Sequence, residues 1–523
     1  MTTGALCFVD IAVDPDEMNS PEMIRKKALK KAEMADGPDI SFRIIRRSVD
    51  ARSRMPGFIL RVALGRVEPP GPLESPFHPR KPGDFRVVVV GAGPGGYFAA
   101  LTLLEYGIRP IVLERGKDVT LRRKDLKQIY SQGRVHPHSN YCFGEGGAGT
   151  YSDGKLYTRS TRRGDVGRIL KMFAAHGASP DILIDAHPHI GSNVLPRVVR
   201  GIRESIAGAG GEIRFNACVD DLVVQGGKIT GVRVNGDEFI PGDAVILATG
   251  HSARDIYRML AAKGLALEAK PFAMGARIEH PQEIIDRIFY HHSPRHPGLP
   301  PAAYRIACRV EGRGVYSFCM CPGGYVIPAS TAPGELVLNG MSMSGRGGGF
   351  ANAGLVVELR LEDIGDPEDP LSAMKYQERV EKAVFAAGDG VTQKAPAQTA
   401  GDFIQGRVSR NPGKTSYIPG IYTAPLHELL PPPVAGRLRS ALSVFGKKFR
   451  GFDFPEATLM AVESRTSSPV RIVRVPETLM HPDVDGLFPC GEGAGYAGGI
   501  VSAAMDGESV ARAVARKLGI TGI

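Results

Sequence analysis

The sequence contains no uninterrupted run of 18 or more apolar residues, the length a membrane-spanning helix requires, so no membrane span is expected. Its opening, MTTGALCFVDIAVDPDE, carries acids early and lacks a basic start followed by a long apolar stretch, so no secretory signal is expected. Cysteine is scarce and odd in number. Cys7, Cys142, Cys218, Cys308, Cys319, Cys321 and Cys490 fall at no spacing that would frame a set of disulfides. That argues against a disulfide-stapled secreted domain and points to a reducing compartment, so a cytoplasmic protein is expected. Metal-ligand spacing is missing too. His136-Pro-His138 and His187-Pro-His189 set rings on alternate residues, but no third or fourth ligand follows at zinc-like spacing. Loop histidines and no metal are the expectation.

What is present is an ordinary globular composition at considerable length. With 523 residues, 43% hydrophobic and 23% charged, the chain has apolar material for two or three packed units. A formal charge of +10 suits nucleic acid or a membrane surface, but it equally suits an enzyme that holds an anionic dinucleotide, which is the reading preferred here. The most basic stretch runs from Arg25-Lys26-Lys27 through Lys30-Lys31 to Arg43, Arg46, Arg47, Arg52 and Arg54, and reads as a solvated face. The 65 glycines gather in short clusters, the pattern of a backbone that approaches a phosphate-bearing ligand closely.

Hydrophobic periodicity divides the chain into four regions. Residues 1–75 hold ALCFVDIAV as a strand, PEMIRKKALKKAEM as an amphipathic helix with Pro21 in its first turn, then ISFRIIRRSVDAR and GFILRVALGRV as strands. That order suits a small ferredoxin-like α+β module. The proline-rich VEPPGPLESPFHPRKPGD reads as a linker. Residues 84–265 alternate strands and helices from RVVVVGAG onward, with turn chemistry at Gly226-Gly227 and Asn235-Gly236. Residues 266–455 hold strand-like runs between Gly/Pro loops and a helix near 370–387, an inserted substrate domain on an antiparallel sheet. Residues 456–523 return to strand, glycine loop and long helix. The expected fold class is α/β: a Rossmann-type domain in two parts, an inserted mixed α+β substrate domain, and the small N-terminal module.

The strongest chemical signal is Arg86-Val-Val-Val-Val-Gly91-Ala-Gly93-Pro-Gly95-Gly96. Gly91, Gly93 and Gly96 satisfy G-x-G-x-x-G directly after an apolar strand and directly before a helix. Gly91 permits the tight turn, Gly93 lets the backbone approach a pyrophosphate, and Gly96 allows close packing of helix on strand. Glu114 closes the next strand, where an acid hydrogen-bonds a ribose hydroxyl, and Arg115 follows it. A lone glycine fingerprint is weak; this one has its strand, helix and acid in order. Ala248-Thr249-Gly250 and Gly491-Glu492, each after a short apolar strand, add two further glycine turns, and Gly499-Ile500 opens the long helix. Gly345-Arg-Gly347-Gly348-Gly349-Phe350 is not a second fingerprint, because Phe350 stands where the third glycine is needed and a strand follows. NAD(P)H therefore has no domain of its own and is left the role of a transient electron donor.

On RIIRRSVDAR, VVVVGAGPGGYFAALTL, FGEGGAGTYSDGKLYTR, CMCPGG and GLFPCGEGAGYAGGIVSAAMDG, the chain resembles a family of uncharacterised FAD-dependent dehydrogenase-like proteins. These are NAD(P)/FAD-dependent oxidoreductases with a ferredoxin-like N-terminal module and a glutathione-reductase-type FAD fold, and the matching segments touch nearly the whole length. The resemblance implies FAD and an oxidoreductase activity, with no particular reaction. It implies that Glu492 contacts the ribityl–phosphate part of FAD and that Thr249 and Gly250 belong to the cofactor domain. The disulfide-reductase branch of this fold carries two cysteines near residue 142, whereas this chain has Cys142 alone, so disulfide reduction is not expected.

Gly146, Gly147, Gly149 and Thr150 read as a loop packed on the flavin or its pyrophosphate, with Lys155 as an anion partner. Cys319 and Cys321, two apart on what reads as an extended strand, are expected to face one side, to line the pocket of a small-molecule substrate and to be the catalytic residues there, as proton donor or redox partner. The activity expected is hydride transfer between FAD and an organic substrate. A second reading is a flavin-containing binding protein whose basic N-terminal module contacts RNA or a protein partner. Only Phe42 and Phe58 accompany the arginines of residues 39–65, too few aromatics for that, so no stable nucleic-acid complex is expected. The oligomeric state is not legible.

Overall fold

The structure, a computed structural model, describes residues 6–53, 55–67, 71, 73–158 and 163–521; Arg54 and four residues of the proline-rich segment (68–70 and 72) lie outside the described residues. In the N-terminal module Ser20 accepts a hydrogen bond from the Met23 amide and Pro21 occupies the first turn, which starts the helix Pro21–Ala32. Its buried residues Ile24, Ala28 and Leu29 pack with Leu60 and Val62 of a three-stranded sheet. The strand Gly57–Gly65 lies between Cys7–Val13 and Ser41–Asp50, antiparallel to both. This split strand–helix–strand order is the first half of a ferredoxin-like pattern. The second helix and fourth strand are absent from the module's described residues, because the chain passes from Gly65 into the proline-rich segment, where ladder donors are missing. Arg47 ties the module to the next unit through its Nε–Asp185 bond of 2.7 Å and an amide bond to the Ile184 carbonyl of 2.7 Å.

Four consecutive valines make Arg86–Val90 a strand buried on both faces, which suits only the middle of a helix-covered parallel sheet. It sits at the centre of five parallel strands, ordered Leu487–Pro489, Ala244–Leu247, Arg86–Val90, Arg109–Leu113 and Glu212–Arg214. The fingerprint helix Pro94–Glu105 packs against the helix Ile500–Lys517, and a Cβ added at Gly507 would lie 2.1 Å from the Gly95 carbonyl oxygen. No helix among the described residues is long and apolar enough to cross a membrane.

The second large unit is an eight-stranded, mostly antiparallel sheet with Phe272–Pro281 between Phe350–Leu359 and Thr458–Glu463. The strand Thr458–Glu463 pairs here and not with the parallel sheet, so the mixed unit continues past the boundary at 455 read from the sequence. TLMAVE is apolar throughout, and such a run fits the interior of either sheet by pattern alone. The run CMCPGG also departs from the regular strand expected of it. Cys319 has φ +42°, and the register slips between Phe318 and Cys321 in a bulge. Strict alternation is broken, so Cys321 is buried while Cys319 is exposed.

Four buried charges join the two units. Arg254, at the start of the helix Arg254–Ala262, bonds Glu335 at 2.6 Å and Glu381 at 2.7 Å. Arg465 meets the same acids at 3.1 and 3.0 Å. Burial alone would raise the Glu381 carboxyl, but Arg465 and Arg254 outweigh it and hold the group down to about 2. Removing one member strands a charge in a dry site. Arg254→Met is therefore expected to lose about 3–5 kcal/mol of unfolding free energy in urea titrations, and Arg254→Met with Glu335→Gln to recover part of it.

Candidate functional site

A cavity of about 490 Å³ opens between the parallel sheet and the mixed sheet. One wall is made of strand-to-helix turns. Gly91, Gly93 and Gly95 of the fingerprint, Glu114 and Arg115, Thr249 and Gly250, Gly491 and Glu492, and Gly499 and Ile500 all line it, as do Gly147, Gly149 and Lys155 of the second glycine-rich loop. The opposite wall holds Phe318, Cys319, Cys321, Asn339 and Gly340, with Thr466 beside them. Residues scattered from 91 to 500 thus meet around one space.

Three residues expected at the ligand stand behind the wall. Gly96 faces the strand: a Cβ there would sit 1.9 Å from the Gly91 carbonyl oxygen. Gly146 has φ +78° and its added Cβ would meet Thr150 Oγ1 at 2.0 Å. Thr150 donates that hydroxyl to the Glu145 carbonyl at 3.0 Å. All three shape the loops whose neighbours line the cavity. Glu114 does two things at once. Its oxygens accept from the amides of Ala92 at 3.0 Å, Gly116 at 2.8 Å and Gly144 at 2.9 Å, holding both glycine loops against one strand end. A carboxylate accepts about four hydrogen bonds, so capacity remains on the cavity side. Arg115 points its guanidinium to Asp255 at 2.9 Å and stacks on Phe143 at 4.4 Å.

Several groups around the cavity carry no sequence motif. Arg277 is fully buried under the Cys319–Cys321 bulge and bonds Glu463, Asn352 and the Cys319 carbonyl, each at 2.8 Å. Gly340 makes room for it, since a Cβ there would lie 2.0 Å from Arg277 Nη2. Arg465 reaches the cavity and donates to Ser252 at 3.1 Å and Thr331 at 2.7 Å. His251 lines the same stretch, and burial, reinforced by Arg465, pushes its imidazole down to about 4, so it is neutral at pH 7. Arg346, from the loop excluded above as a nucleotide fingerprint, grips Asp153 at 3.1 and 2.7 Å. These are contacts between residues far apart in the chain, and no spacing announces them. The Cys319 side chain is exposed only into the cavity, and the protein enclosing that space pushes its thiol up to about 12, so it is protonated near neutrality. Glu492 is raised to about 7 by burial, with Lys270 opposing. Among the described residues no group of three or more His, Cys, Asp or Glu side chains is placed to hold a metal ion.

The wall fits a long ligand that bears anionic groups. Two helices, Pro94–Glu105 and Ile500–Lys517, begin at it with Gly93 and Gly499 at their N-caps and no side-chain cap on either. Their first-turn amides and dipoles favour negative charge. A Cβ at Gly93, Gly250 or Gly491 would meet nothing within 4 Å, so backbone is bare to the cavity at each turn. Thr249 Oγ1 is buried with no hydrogen-bond partner in the protein, a group that a ligand would satisfy.

Residues 85–255 match the pyridine nucleotide-disulphide oxidoreductase family, residues 271–466 match the FAD-dependent protein, C-terminal domain-like family, and residues 7–64 match a domain of unknown function. An uncharacterized protein of Clostridium beijerinckii is 40% identical over 530 residues, spanning 97% of this chain and 98% of its own. The chain belongs to that protein's family, a family of FAD-dependent oxidoreductases. FAD is the cofactor of this oxidoreductase. A probable electron transfer flavoprotein-quinone oxidoreductase of Escherichia coli, YdiS, is 29% identical over 167 residues, 32% of this chain and 36% of that protein. A crystal structure of CtdE in complex with FAD covers 84% of the oxidoreductase and 87% of its own chain at 13% identity and a TM-score of 0.35.

Two glycines in the fingerprint separate folding from binding. Gly93→Ala is expected to keep the wild-type melting temperature and to weaken FAD at least about tenfold in a quenching titration, as its methyl fills the space beside the turn. Gly96→Ala collides with the backbone of its own turn and is expected to lower the melting temperature itself. Glu492 supplies a pH test. Its folded-state value is raised from 4.5 to about 7, so the folded protein binds more protons than the unfolded chain across that window, and stability falls as pH rises through it. In the cofactor-free protein Glu492→Gln is expected to flatten that slope, measured by melting temperature at pH 4.5 to 7.5.

Proposed function

We propose that the oxidoreductase moves a hydride between FAD lying along this cavity and an organic substrate that binds against the mixed sheet. One observation carries the reading: a single cavity runs from the fingerprint turn at Gly91–Gly93 to Cys319 and Asn339. The amides at the start of Pro94–Glu105 would take the pyrophosphate, and Glu114 a ribose hydroxyl. The start of Ile500–Lys517 would favour negative charge on the flavin. FAD supplies the redox chemistry when bound. The protein's own work would be to hold the cofactor, exclude water and present a protonated thiol, Cys319, and a neutral imidazole, His251, at the substrate end. The neutral state of Cys319 suits a proton donor better than a nucleophile, since the reactive form of cysteine is the thiolate. NADH or NADPH would dock transiently at the same opening.

An absorbance spectrum of the purified protein followed by anaerobic titration with NADH and with NADPH tests this. Flavin bands are expected, and bleaching by one nucleotide would name the donor. Bands that neither nucleotide bleaches would point to a dehydrogenase reduced by its own substrate. A colourless protein that cannot be reconstituted with FAD would overturn the placement of the cofactor.

A further inference from the structure

We propose that the Lys155 end of the cavity is a binding site for the carboxylate of an organic substrate whose apolar body lies along Phe318. This rests on the reading that FAD occupies the other end. Lys155 lines the cavity with 39% of its side chain exposed, while its neighbour Asp153, 3.3 Å away, is 2% exposed. Asp153 is shared between Lys155 and Arg346, which bonds both its oxygens and whose side chain is 13% exposed, so one carboxylate faces two cations. The three side chains carry one net positive charge, and the ammonium is the member most open to the cavity.

The neighbouring groups do not cancel it. His189, packed near the same trio, is held below its ordinary value by burial and by Arg346, which keeps it neutral at pH 7. Arg277 is matched by Glu463, Arg115 by Asp255, and Arg465 shares Glu335 and Glu381 with Arg254. Burial would lower the Lys155 ammonium, but the group is held above its ordinary value, with Asp153 among the causes, so it stays charged. An ammonium has three donors. One points toward Asp153 and one to Cys321 Sγ at 3.6 Å, which leaves a third for a ligand.

The position also separates this charge from the fingerprint. Gly147 is the part of the glycine-rich loop that meets the fingerprint turn, a Cβ there lying 3.4 Å from Gly93 Cα. Lys155 lies further along the loop against Cys321 of the mixed sheet. The pyrophosphate has the helix amides; Lys155 is available to a second anion. Phe318 beside Cys319 offers an apolar surface to the rest of that molecule.

Isothermal titration of the FAD-loaded protein with benzoate, and with benzamide as its uncharged counterpart, tests the site. Benzoate is expected to bind saturably and at least about tenfold tighter than benzamide, as a charge-assisted contact implies. Lys155→Met is expected to abolish that preference while keeping its flavin absorbance, and Lys155→Arg to retain part of it; Lys155→Gln replaces the Met variant if that does not fold. Equal binding of the two probes, no binding of benzoate, or a preference that survives in Lys155→Met would each overturn the site. Loss of flavin from Lys155→Met would assign the ammonium to the cofactor and overturn it likewise. A wild-type protein that takes up no FAD sinks the cofactor placement instead, and the same two probes titrated into that protein still decide the anion site.

Discussion

Arg254, Glu335, Glu381 and Arg465 form a closed set of charges with side chains no more than 8% exposed, and the cavity depends on them. Arg254 belongs to the unit built on the parallel sheet, the other three to the unit built on the mixed sheet. Charges in so dry a place are tolerated only while each keeps its partners. Sliding one unit over the other by even a hydrogen-bond length would uncover several at once, so the gap between the sheets is held to one width. Arg465 extends that control into the cavity wall through Ser252.

Across this gap the chemistry changes character. The fingerprint side offers backbone amides, bare glycine turns and two helix starts, all favourable to phosphate and indifferent to side-chain identity. Away from the fingerprint the lining turns to side chains: the protonated thiol of Cys319 and the amide of Asn339 from the mixed sheet, and the neutral imidazole of His251 and the ammonium of Lys155 from the facing wall. With FAD placed as proposed, the cofactor would be met by backbone, and the substrate by side chains outside the turns.

That division also explains what the sequence disclosed. The fingerprint, its strand, Glu114 and the returning Gly491-Glu492 turn were legible because each is a local pattern whose geometry follows from adjacent residues. The split strand–helix–strand module was readable for the same reason, down to Pro21 at the helix start. The Cys319–Cys321 bulge was not, because φ +42° at a cysteine is imposed by the strands around it and leaves no mark in CMCPGG. Arg277 and Arg465 looked like ordinary arginines. Their roles come from Gly340, Glu463, Glu335 and Glu381, which reach them only once the sheet is assembled. The boundary at 455 failed on a strand whose apolar run suits two sheets equally.

The parallel sheet has a consequence for how the protein is made. Its strand Ala244–Leu247 must pair on one side with Leu487–Pro489, and the fingerprint helix must pack on Ile500–Lys517. Both partners leave the ribosome only after the whole mixed unit, on the order of ten to fifty seconds later at ordinary synthesis rates. Through that interval a nascent chain shows an unpaired strand edge and the bare flank of the fingerprint helix, and the cavity beside the fingerprint turn lacks part of its walls. The cavity between the sheets is closed by the same late segment that completes the parallel sheet, so the two take shape together.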